Sequence, residues 1–134
     1  MRHLILIFLV VLSITFFGSC KKNNSEPTLS IIGEWELRMR SGGIVGGSTT
    51  FPPGNGNTLV FSNTSFEKYL NGQIASSGAY NLTKDTFVNG ELMDKLILTS
   101  PNSIEQHFIK IESSQFTFLS GLPDGFDEKF SQIP

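Results

Sequence analysis

One cysteine and two histidines in 134 residues are too few for a Cys/His zinc site, and a lone thiol excludes an intrachain disulfide. Charge is also scarce. Only 16% of residues are charged, the formal net charge is −2 and the basic residues are scattered, so the electropositive patch of a nucleic-acid binder is missing. Beyond residue 30 no run of ten or more residues keeps helical i, i+3, i+4 apolar spacing, which argues against bundles and coiled coils. What remains is 39% apolar residues, 13 Gly and 12 Phe, the composition of one small globular domain rather than collagen, a disordered tail or two full domains.

Catalytic constellations are missing as well. His107 has Glu105 on its own strand face but no second histidine or free thiol near it in sequence, and there is no Gly-x-Ser-x-Gly elbow. The glycines of 42–47 lack the Lys-Ser/Thr and the following helix of a phosphate cradle. Asp124, Asp127 and Glu128 lack the spacing of a calcium loop. The sequence therefore predicts neither an enzyme nor a bound cofactor or metal.

The first residues carry an address. Arg2 is followed by an apolar run from Leu4 to Phe17 and then by Gly18-Ser19-Cys20, the layout of a secretory signal with small residues before its processing site. Phe17-Gly18-Ser19-Cys20 resembles the cleavage box of bacterial lipoproteins, which implies that Cys20 is lipidated and becomes the first mature residue. The reading divides the chain into a signal peptide at 1–19, a lipidated Cys20 with a flexible tether at 20–30 and a folded domain at 31–134. Polar residues 21–30 span at most about 35 Å when extended. Lys21 is not an aspartate retention signal, so by resemblance to bacterial sorting the outer membrane is the expected location, at its periplasmic or outer face.

The domain alternates apolar and polar residues at period two. In 33–40, Trp35, Leu37 and Met39 are expected on one face and Glu34, Glu36, Arg38 and Arg40 on the other, which leaves no inward arginine to clamp a carboxylate. Further strands are expected at 58–62, 65–70, 73–82, 86–88, 95–99, 104–111, 115–119 and 126–133, with Ile74, Tyr80 and Leu82 sharing a face. Asn71-Gly72 is a two-residue hairpin signal, and Gly78 marks a bulge or bend. Eight or nine short strands in a meander predict an all-β, up-and-down antiparallel barrel, with a two-sheet sandwich as the alternative. Segment 41–57 is long and dense in Gly and Pro, either a loose insert or a lid over a cavity mouth, with Phe51 as an exposed loop aromatic.

Gly33-Glu34-Trp35, Pro53-Gly54-Asn55-Gly56 before Leu59-Val60-Phe61, and Ser77-Gly78-Ala79-Tyr80 resemble the pattern of short lipocalin-like domains in Gram-negative lipoproteins. That resemblance implies a barrel with Trp35 packed at its closed end, a cup under the first loop and an apolar ligand inside. Near the C-terminus no arginine is available to pack on Trp35, a place Lys129 fills poorly. Candidate ligand contacts are Trp35, Tyr69, Tyr80, Phe108 and Phe118. The expected function is a monomeric, lipid-anchored envelope protein that holds a small hydrophobic ligand. The alternative is a filled barrel whose loops bind protein or glycan.

Overall fold

The computed structural model describes residues 30–134. The signal peptide, Cys20 and the tether up to residue 29 lie outside the described residues. Alternating side chains and tight turns give nine strands and no helix among them: β1 (Gly33–Gly42), β2 (Gly47–Thr50), β3 (Thr58–Phe61), β4 (Ser65–Leu70), β5 (Gln73–Thr86), β6 (Leu92–Ser100), β7 (Ser103–Ile111), β8 (Gln115–Leu119) and β9 (Phe126–Gln132). From β3 to β9 each strand pairs antiparallel with the next. β1 then pairs with β3 along one edge and with β9 along the other, which closes eight strands into an up-and-down barrel. A sandwich is excluded by that closure. The short β2 pairs with the far end of β1 beyond β3 and adds a ninth strand outside the ring.

Two positions show how the sequence enforces this course. Asn71 and Gly72 have φ of 51° and 75°, the pair of positive values that a two-residue hairpin requires. At Gly78, β5 passes from its pairing with β4 to its pairing with β6, and a Cβ there would lie 1.9 Å from the Thr99 carbonyl oxygen. Glycine is what lets the sheet turn this corner.

The core fills the barrel from its closed end. Ile31, Trp35, Phe61, Phe66, Leu96, Leu98, Ile109 and Phe116 are all at most 2% exposed. Phe116 has the rings of Phe130, Trp35, Phe118 and Phe61 at centroid distances of 4.7, 5.1, 5.2 and 6.3 Å. Trp35 occupies the closed end, where its Nε1–H donates to the Ile31 carbonyl at 2.6 Å. Strand β9 presents Gln132 opposite Trp35, whereas Lys129 lies opposite Met39 farther along, so the proposed Lys129–Trp35 contact does not form.

Several local expectations are corrected. A bulge between Leu37 and Met39 reverses the phase of β1, so Met39 turns outward and Arg40 inward. A second irregularity between Lys68 and Tyr69 moves Ile74 off the face of Tyr80 and leaves it exposed. No separate strand forms at 86–88: β5 runs on to Thr86, and Phe87 begins a turn closed by Phe87 N–H to the Glu91 carbonyl at 2.8 Å. Segment 41–57 is neither loose nor uniformly irregular. It contains the end of β1, a tight turn and β2, and then a compact bend held by the Asn55 side-chain amide on the carbonyls of Leu37 and Pro52, at 2.9 and 2.7 Å. Phe51 packs against the core instead of standing in solvent.

Candidate functional site

The connections β1–β2, β4–β5, β6–β7 and β8–β9 all lie at one end of the barrel, opposite Trp35. There the packed interior gives way to a hollow of about 350 Å³. Its apolar wall is Leu37, Phe51, Leu59, Leu70, Phe118 and Phe130, and its polar wall is Arg40, Asn57, Thr58, Lys68, Tyr69 and Glu128. β1, β3, β4, β8 and β9 supply the lining, most of it by alternation. Phe66 points into the core, so Lys68 two residues on points inward above it, and Phe130 places Glu128 the same way. Arg40 joins them only because the β1 bulge rotates it by one residue. Its Nε–H donates to Glu128 Oε1 at 2.9 Å, with a second contact from Nη2 to the same oxygen.

Below this rim runs a second polar chain. Lys68 Nζ donates to Glu105 Oε2 at 3.1 Å, and the same oxygen lies 3.5 Å from His107 Nε2. The His107 ring stacks on Phe118 at 4.3 Å with an interplanar angle of 15°. Burial pushes the His107 pKa below its ordinary value despite the Glu105 carboxylate, so the ring is neutral at pH 7. Burial alone would raise Glu105, but hydrogen bonds from Lys68 and His107 together with the Lys68 charge outweigh it and hold the carboxyl below its ordinary value.

No protein-family model, curated protein or solved structure matches this chain.

Of the residues singled out from sequence, Tyr69 and Phe118 line the hollow. The Tyr69 hydroxyl turns to Glu67 Oε2 at 2.6 Å, a bond that, ahead of minor burial, raises its pKa. Trp35 lies in the closed-end core and is not among the lining residues. Tyr80 is also absent from the lining: its ring packs edge-on against Phe61 at 5.1 Å, its hydroxyl donates to the Ser62 carbonyl at 2.9 Å, and burial raises its pKa. Phe108 lies on the outer face, opposite Lys95 and Leu119, with its ring 5.0 Å from Phe87. Arg40, Phe51, Lys68, Leu70, Glu128 and Phe130 are among the contributors that sequence reasoning missed. Lys68 and Leu70 were recoverable by counting in twos from Phe66. Arg40 was not, because the bulge leaves no mark in the alternation.

Chemically, the hollow offers an apolar floor with two cations above it, Arg40 at the rim and Lys68 just below. Both cations are paired with carboxylates, so the site is close to neutral overall. Such a lining suits a small molecule with an apolar body and one polar or anionic end.

Proposed function

We propose that this protein is a lipid-anchored binding protein of the cell envelope, holding a small hydrophobic ligand with one polar or anionic end in the mouth of its barrel. The observation that carries the reading is the hollow of about 350 Å³, floored by Phe118 and Phe130 and flanked by the inward Arg40. That size falls at the lower end of the roughly 300–1,000 Å³ range of small-molecule sites. A long acyl chain running down the barrel axis is disfavoured, because Phe116, Phe61 and Trp35 occupy that space. Cys20 and the signal before it support anchoring, with the outer membrane as the proposed location and a monomer as the proposed state. We read the barrel as a carrier and not a catalyst.

The test is native mass spectrometry of the chain purified from envelope extract, with release and identification of any passenger. A reproducible small amphiphile is expected, and Leu70→Glu, at a half-exposed position in the pocket wall, removes it while the fold persists. A passenger equally abundant in that variant would overturn the pocket as its site. The aromatic filling of the closed end favours one alternative, a solid barrel working through its loops, which a consistently empty mass spectrum would support.

A further inference from the structure

The open end of the barrel differs from the closed end in a way the ligand reading does not use. From Ser41 to Phe66 the sequence contains no charged residue, and the other connections at this end, 71–72, 101–102 and 120–125, contribute only Asp124. At the closed end, by contrast, the exposed aliphatics Val88 and Leu92 lie in sequence among Lys84, Asp85, Glu91 and Asp94. The β1–β2 turn places Ile44 and Val45 at its tip, 91% and 97% exposed, the most exposed large apolar side chains among the described residues. Two adjacent large apolar side chains standing wholly in water, on turns that carry a single charge, are a feature of contact surfaces.

The tip is held in place. Gly46 N–H donates to the Gly43 carbonyl at 2.9 Å, and Gly43 N–H donates to the Gly125 carbonyl at 3.1 Å. The half-exposed Phe126 ring lies directly against Gly43, where any Cβ would meet it at 2.9 Å. A hydrogen-bonded hairpin therefore presents two adjacent aliphatic side chains beyond the mouth, with an aromatic ring at their base.

We infer that this end of the barrel is a membrane-contact surface, and that Ile44 and Val45 insert into the apolar edge of a lipid bilayer. A bilayer fits better than a protein partner because protein hot spots are built from Trp, Tyr and Arg, and the tip has none of these. It also fits because the connecting turns at this end carry Asp124 as their only charge, with Arg40 and Glu128 set back behind the tip and paired with each other, so inserting the tip demands little of the desolvation that burying charge in lipid costs. Two aliphatic side chains bind a bilayer weakly by themselves, which suits a domain already tethered nearby. That last point rests on the anchoring proposed above. The chain enters the barrel at the closed end through Ile31, and the ten residues 21–30 reach at most about 35 Å, as far as the ten-residue β1 is long. The mouth can thus turn down onto the leaflet that holds the Cys20 lipid. Contact would set the hollow at the lipid–water boundary, where an amphiphile resides.

The test is photocrosslinking of the full chain in vesicles of phosphatidylethanolamine and phosphatidylglycerol doped with a diazirine phospholipid, the adducts being mapped by peptide. Adducts are expected in 41–50 and 120–126. They are expected to fall at least about tenfold in the double variant Ile44→Asp, Val45→Asp, because two aspartates oppose entry into lipid. The Ile44→Ser, Val45→Ser pair is expected to give an intermediate fall. Both positions are solvent-exposed, so folding is preserved, which circular dichroism checks. Adducts confined to residues 1–29, adducts equally frequent at 84–94, adducts retained by the aspartate variant, or a rim that crosslinks to another copy of the chain would each overturn the inference. Failure of the anchoring reading is separate: it removes adducts from 1–29 and thins those at the rim, but the rim adducts that remain are still lost in the aspartate variant.

Discussion

Replacing Phe116 by alanine is the sharpest test of how the barrel is filled. The side chain is 0% exposed and meets four aromatic rings with centroids 4.7–6.3 Å away. Those rings are fixed to different strands of a closed sheet, so the space left behind cannot collapse easily. The loss belongs in the upper part of the about 3–5 kcal/mol observed for Phe→Ala in cores. A domain of this size has roughly 5–15 kcal/mol in total, so about a quarter or more of its stability disappears. At roughly 4–8 °C per kcal/mol, the melting temperature falls by about 16–40 °C. Trp35, the only tryptophan, lies 5.1 Å from Phe116 and reports unfolding by its fluorescence in a urea titration. The midpoint should move while the slope stays constant, the sign of changed stability rather than changed compactness. Phe108→Ala is the matched comparison. Its ring is half-buried on the outer face against Phe87, and about 1–2 kcal/mol is expected. Equal losses from the two variants, or a loss below about 1 kcal/mol at Phe116, would refute the assignment of inner and outer faces.

Gly78→Ala places a methyl 1.9 Å from the Thr99 carbonyl oxygen, and a loss of more than about 2 kcal/mol, or failure to close the barrel, is expected in the same titration. His107 has a folded pKa below the usual 6.5, so the folded state binds fewer protons than the unfolded one. Its contribution is therefore complete above about pH 6.5 and is lost as pH falls through the lowered value, with Glu105 adding a loss in the same direction at more acid pH. His107→Gln should flatten the first part of that pH–stability curve. Cys20→Ser should abolish metabolic labelling with palmitate and release the protein from the membrane fraction, and labelling that persists would contradict the lipoprotein reading.

The strands were legible because one face of each is buried and the other wet, which writes period two into the sequence. β4, β8 and the Asn71-Gly72 turn fall where the alternation and turn chemistry place them. Closure was inferable from the need to protect two sheet edges, although composition alone did not exclude a sandwich. Reading failed where one backbone residue is added without a change in pattern. The bulge in β1 exchanges Met39 for Arg40, and Arg38–Met39–Arg40 reads equally well in either phase. The segment 41–57 misled for a related reason. Its glycines and prolines signal irregularity, yet the order comes from Asn55 and from backbone bonds to Leu37 and Arg38, residues distant in sequence. The site was half legible. Aromatic residues were sound candidates for its wall, but whether a ring lines the hollow, as Phe118 does, fills the core, as Trp35 does, or lies outside, as Phe108 does, depends on strand phase and on depth along the barrel.

The central claim is that the barrel mouth takes up a small amphiphile between its phenylalanine floor and Arg40. The most direct measurement is a titration of the ¹⁵N-labelled barrel of residues 30–134 with decanoate, followed by amide chemical shifts. Saturable shifts are expected at Leu37, Arg40, Phe51, Thr58 and Phe118, with affinity weakened at least about tenfold in Arg40→Met, as loss of a charge-assisted hydrogen bond implies. Shifts confined to the outer-face residues around Phe87 and Phe108, or none at all up to the solubility of the probe, would contradict the claim.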